Sequence, residues 1–153
     1  MADVYKEWER LNAMEKIYIA TNPHHAFAIR ESKKKAFSES LKRFGHNGHN
    51  DDSDAFRHCF WSAILSRELG FQKALQFTTF HESRSDNPPA EKEMDLHNNF
   101  VGLNIGKQFI HIAPGVGEFI ESDKEISDRC YKAYQEGKLK VSLSKGIKKK
   151  GYF

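Results

Sequence analysis

At 153 residues the chain has the length of one domain, enough to bury a core without disulfides or a structural metal. Its two cysteines, Cys59 and Cys130, have no CxxC spacing, which excludes a zinc finger or a disulfide scaffold. The net charge of +3 is too small to demand a nucleic-acid partner, and no apolar run approaches the length of a membrane span.

Residues 1–10 are polar and lack an apolar signal core, so the expected location is cytoplasmic, or delivery by a secretion system without a signal peptide. The stretch is also compatible with a piece of a larger secreted protein. Trp8, Leu11, Met14, Ile17 and Tyr18 recur at three and four residues and predict a first helix over residues 4–20. Asn22-Pro23 breaks it. A second helix is predicted over residues 24–44, closed by Gly45. Within it, Lys33-Lys34-Lys35 is either a solvated face or an attractor of phosphates.

A polar loop, HNGHNDD, follows. Asp52 or Ser53 can cap a third helix over residues 54–69, which Gly70 stops. The fourth predicted helix spans 71–83. After the Asn87-Pro88-Pro89 turn a fifth runs from 89 or 90 to 112, where Pro114-Gly115 breaks it. A sixth covers 117–135 and ends before Gly137. Residues 138–153 alternate weakly and carry many lysines, so they form a short strand or an extended basic arm. The predicted fold is an all-α compact bundle of about six helices with that arm attached, in one domain spanning 1–153.

The third helix carries most of the chemistry. Phe56, Cys59, Phe60, Ala63 and Ile64 make an ordinary core stripe, yet the opposite face holds Asp54, Arg57, His58, Trp61 and Leu65. A surface face would carry Lys and Glu there, so this helix is expected to be covered on both sides. Asp54 and His58 are four apart and should touch, and an Asp beside a His fixes its tautomer for a general base or a metal ligand. Arg57 can hold an anionic substrate or pair with an acid.

The fifth helix breaks local rules on one face, with Asp95, Asn98, Asn99, Gly102 and Gly106. Mid-helix glycines cost about 1 kcal/mol each relative to Ala and mark the close approach of a backbone or a ligand. Between the two helices, His81-Glu82 offers a ligand or acid/base pair. The candidate catalytic set is Asp54, Arg57, His58, His81, Glu82, Asp95, Asn98 and Asn99. Trp61, His97 and Gly102 are candidates for substrate contact. His58, His81, Glu82 and Asp95 can ligate a divalent Zn, Mn or Ca ion. There is no HExxH, nucleophile elbow or phosphate-binding glycine loop. His111 is expected in the core; His24, His25, His46 and His49 are expected at the surface.

The segments DAFRHCFWSAILSRELG, HES and NPPAEKEMDLHNNFVGLNIG resemble a bacterial domain family of unknown function, found alone and as the C-terminal toxin-like module of Rhs and wall-associated polymorphic proteins. The resemblance covers residues 45–106. It falls on Asp54, Arg57, His58, Trp61, His81, Glu82, Asp95, Asn98, Asn99 and Gly102. It implies a bacterial source and an effector role, with a cognate immunity protein as partner if the chain is a toxin domain.

Three readings follow from the residues. One is a hydrolase, metal-assisted, acting on a phosphoester, lipid or cell-wall substrate. A second is metal-free cleavage of a glycosidic bond by Glu82 and Asp95. The third is a non-catalytic binding module, its helices locked by a polar network, whose basic tail contacts nucleic acid, membrane or protein.

Overall fold

The computed structural model describes residues 2–109 and 116–141. Among them run seven α-helices: α1 (Ala2–Arg10), α2 (Ala13–Thr21), α3 (Ala26–Phe44), α4 (Asp52–Leu69), α5 (Phe71–His81), α6 (Pro89–Gly106) and α7 (Val116–Gln135). Two 3-10 turns, Pro23–His25 and Lys107–Phe109, lead into α3 and out of α6. The described residues contain no strand, so the fold is the all-α bundle that the helix periodicity implies.

The seventh helix arises because the first predicted one is two. Asn12 interrupts it with a capping box: its side chain accepts from the Glu15 backbone N–H at 2.9 Å, and the Glu15 carboxylate accepts from the Asn12 N–H at 3.0 Å. The Asn12 amide also donates to the Phe80 carbonyl at 2.8 Å, which ties this break to the end of α5. Apolar spacing runs straight through the interruption and conceals it.

The other boundaries shift less. Gly45 adopts φ +77°, which a side chain would resist, and closes α3. Asp51, rather than Asp52 or Ser53, caps α4, accepting from the Asp54 N–H at 3.0 Å. The α5 helix stops at His81, and α6 gives way to the 3-10 turn after Gly106. His111 and the Pro114-Gly115 break lie outside the described residues. So does most of the basic arm, of which 138–141 are seen as irregular chain with a bend at Leu139.

Helix α4 is the axis of the domain. Every residue from Ser53 to Arg67 is buried, and α3, α5, α6 and α7 all pack on it. One face is apolar: Phe56 meets Phe44 with ring centroids 5.6 Å apart and Phe60 at 5.9 Å. Each such ring contributes about 1.5–3 kcal/mol by leaving water. Helix α6 lies directly against α4. A Cβ built on Gly102 would stand 2.0 Å from the Cys59 carbonyl oxygen, and one on Gly106 2.0 Å from that of Ala63. Only glycine permits that approach, and it sets how far α6 side chains reach over the polar face of α4.

Candidate functional site

The polar face of α4 is sealed by α6, by the end of α5 and by the start of α2. Asp54, Arg57 and His58 are 2%, 3% and 1% exposed. Glu82, Asn99, His81 and Glu15 are also buried, and all of them belong to one connected network. Burying this many ionisable groups is costly unless each finds partners, so the pattern of partners is informative.

His58 sits at the centre. Its Nδ1 faces the Asn99 side-chain oxygen at 3.1 Å. The orientation of that amide is fixed from the other side, because Asn99 Nδ2 donates to Glu82 Oε2 at 3.3 Å. The carbonyl oxygen of Asn99 therefore points at the ring, and His58 Nδ1 must carry the hydrogen. Nε2 faces the opposite way, 3.5 Å from Asp54 Oδ1 and 3.6 Å from Asp95 Oδ1.

The two acids differ in their surroundings. Both oxygens of Asp54 are engaged: Oδ2 accepts the Asn50 N–H at 2.8 Å, and Oδ1 accepts Arg57 Nη2 at 2.5 Å. Asp95 Oδ1 is buried and has no hydrogen-bond partner among the described residues. Burial raises the Asp95 carboxyl to about 7, opposed by His58 and reinforced by Glu82 and Asp54. Burial depresses the His58 imidazolium, but the charges of Asp95, Asp54 and Glu82 outweigh it and hold the ring above its ordinary value.

A second pair extends the network. His81 Nδ1 meets Glu15 Oε2 at 3.0 Å, and His81 Nε2 lies 3.8 Å from Glu82 Oε1. Burial raises the Glu15 carboxyl, yet the hydrogen bond and charge of His81, helped by the Asn12 N–H and Arg84, bring it below its ordinary value. The Trp61 ring covers this pair, 4.9 Å from His81 between centroids.

The structure brings together Asp54, Arg57, His58, His81, Glu82, Asp95 and Asn99, with Trp61 as a wall. Arg57 is engaged within the protein. It donates to Asp54, to the Gly48 carbonyl at 2.9 Å and to Asn47 Oδ1 at 3.3 Å, and it lies over the Phe37 ring. His81 and Glu82 stand toward the Nδ1 side of His58, so the donors that converge at Nε2 are Asp54 and Asp95. One atom from each of Asp54, His58 and Asp95 lies within 4.8 Å of the others.

Asn98, His97 and Gly102 face elsewhere. Asn98 donates to the Lys140 carbonyl and accepts from the Lys140 N–H, both at 2.8 Å. His97 Nε2 meets the Lys138 carbonyl at 2.8 Å. These two clamp the chain after α7 onto α6, and Gly102 meets the α4 backbone.

Sequence reasoning missed Glu15, His49 and Glu91. His49 lies 3.9 Å from Asp54 Oδ2 and 3.8 Å from Glu91 Oε2. Side-chain exposure rises from 2% at His58 to 10% at Asp95, 14% at Glu91 and 20% at His49, so the centre lies nearest the surface on the side of the loop before α4. The capping box at Asn12 was a readable signal for a fixed Glu15; nothing in the loop singled out His49.

No solved structure matches the chain. Residues 16–138 match a protein family described as a domain of unknown function, and that span holds every group of the centre except Glu15. The chain belongs to this family, DUF6973.

Proposed function

We propose that the chain is a hydrolase whose reactive centre is the Nε2 edge of His58 between Asp54 and Asp95. The observation that carries this is the unpartnered, buried oxygen of Asp95 facing an imidazole of fixed tautomer. Most buried polar atoms find a partner, so one left open beside a ring nitrogen marks a candidate reaction site. Here a carboxylate and a ring nitrogen converge on one point near the site's opening, where a water can be activated and a proton returned to the leaving group. The Asn99–Glu82 relay orients the ring and favours positive charge on it as a proton arrives. The substrates that suit such a centre are esters and phosphoesters, lipids among them. A role as a delivered effector, in Rhs-like or wall-associated proteins with a cognate immunity partner, is the biological setting that the sequence resemblance suggests.

The test is a panel of bis(p-nitrophenyl) phosphate, p-nitrophenyl esters, fluorogenic phospholipids and cell-wall fragments, run with and without added divalent ions. At least one should be cleaved, and His58→Gln and Asp95→Asn should each lose about 100-fold or more. Full activity in both variants, or no cleavage of any member, would remove the reading.

A non-catalytic binding module is the second reading, and two observations favour it. His58 is only 1% exposed. In addition, Lys34, Lys35, Lys42 and Lys124 outnumber Glu39 and Asp123 around a groove of about 520 Å³ that Phe60 also lines, a net positive balance that suits an anionic partner. On this reading Asp54→Ala or Asn99→Ala loses stability, while groove lysine substitutions lose binding.

A further inference from the structure

The side of His58 that bears Nε2 has the geometry of a metal site. With Nδ1 facing Asn99, Nε2 is the ring atom that faces the two carboxylates, and an ion entering there displaces its proton and takes its lone pair. A tight charge-assisted hydrogen bond spans about 2.7–2.9 Å. The observed separations are 3.5 Å and 3.6 Å. They match the edge of a tetrahedron around an ion, which is about 3.4 Å for metal–ligand distances near 2.1 Å. All three ligand atoms lie within 4.8 Å of one another, close enough to converge on one ion.

The remaining features agree. Asp95 Oδ1 is buried, points into this space and is unpartnered among the described residues. Arg57 and the Asn50 N–H hold Asp54 in place, as outer partners of a ligating carboxylate do, and Oδ1 keeps a second lone pair.

We propose that Asp54, His58 and Asp95 bind one divalent transition ion, Zn²⁺ or Mn²⁺, through Oδ1, Nε2 and Oδ1. The imidazole disfavours Ca²⁺ and Mg²⁺, which take oxygen ligands. Three protein ligands leave at least one position open toward the Asp95–His49 rim, the arrangement of a catalytic rather than a structural site. His81 and Glu82 act behind the ring, as positioning residues. This rests on the hydrolase reading of the same centre, for which the ion would supply the Lewis acid, but it is tested by binding rather than by turnover.

The experiment is calorimetric titration of the EDTA-stripped full chain with ZnCl₂ and with MnCl₂, alongside Asp95→Asn and Asp54→Asn, with circular dichroism of each variant. One ion per chain is expected for the wild type. Affinity should fall about 100-fold or more in folded Asp95→Asn, a loss at least as large as for outer-partner changes. Asn98→Ala, which faces away from the centre, should bind as the wild type does. No saturable binding of either ion, or binding unchanged in both aspartate variants, would overturn the proposal. Binding without hydrolysis of any panel substrate would sustain this inference and remove the hydrolase reading; hydrolysis without binding would do the reverse.

Discussion

His58 and Asn99 are joined by a hydrogen bond of 3.1 Å whose direction is set by a third residue. Glu82 accepts from the Asn99 amide, so Asn99 can offer His58 only its oxygen. The tautomer of a buried histidine on α4 is thereby decided by a carboxylate at the end of α5, relayed through α6. Three helices must be packed before the ring has a defined reactive edge.

Asn99→Asp tests the relay. It is nearly isosteric, but it places a second carboxylate beside Glu82 where an amide donated. Two buried like charges then meet, and the loss of stability should reach about 3 kcal/mol. Urea unfolding at neutral pH measures it. Acidification should narrow the gap as one of the two acids protonates. A variant as stable as the wild type would contradict the assigned amide orientation.

Glu15 and His81 give the fold an acid-sensitive joint between α2 and α5. The Glu15 carboxyl is held below its ordinary value of 4.5. A depressed carboxylate contributes stability that is fully present above that ordinary value and is lost as pH falls through the folded one. Glu15→Gln should therefore cost about 1–3 kcal/mol at pH 7, and the difference should shrink steadily below pH 4.5. Urea midpoints from neutral to acid pH follow both proteins. Parallel curves would exclude the linkage.

Gly102→Ala and Gly106→Ala test the contact of α6 with α4. Each methyl would overlap a backbone carbonyl, which cannot rotate away as a side chain would. About 1–3 kcal/mol of destabilisation is expected for each, despite the better helix propensity of alanine. Thermal unfolding reads the balance. A gain in stability at either position would show that the helices are farther apart than described.

Asn98 and Asn99 show how far sequence could carry the site. Both are poor helix formers at neighbouring positions of one helix, and broken propensity marked both. Their directions differ by one helical step: Asn99 turns to His58, whereas Asn98 turns to Lys140. Periodicity locates a face only to within a residue or two, and the partner of Asn98 comes 42 residues later. The polar second face of α4 and the glycines of α6 were legible because each violates the pattern of its own helix. The capping role of Glu15 was legible too, but its pairing with His81 and that of His49 with Glu91 were not, because those partners come from distant segments. The break at Asn12 was hidden by apolar spacing that continues across it.

Asn98→Ala should free Lys140 from α6, while His97 still holds Lys138. Two backbone groups of Lys140 lose their partner, at a cost of about 1–2 kcal/mol. Faster amide exchange at Lys140, with the α4 amides still protected, is the expected signature. Unchanged exchange there would mean that the arm is held by other contacts.

The most direct test of a functional rather than structural centre is the melting temperature of Asp95→Asn in EDTA-containing buffer. The substitution removes a buried carboxylate whose Oδ1 has no hydrogen-bond partner among the described residues. Active centres carry such groups at the expense of stability. The account predicts that the variant melts higher than the wild type, by about 3 °C for a gain near 1 kcal/mol, while losing hydrolysis. A lower melting temperature would identify Asp95 as a structural member of the network and contradict the account.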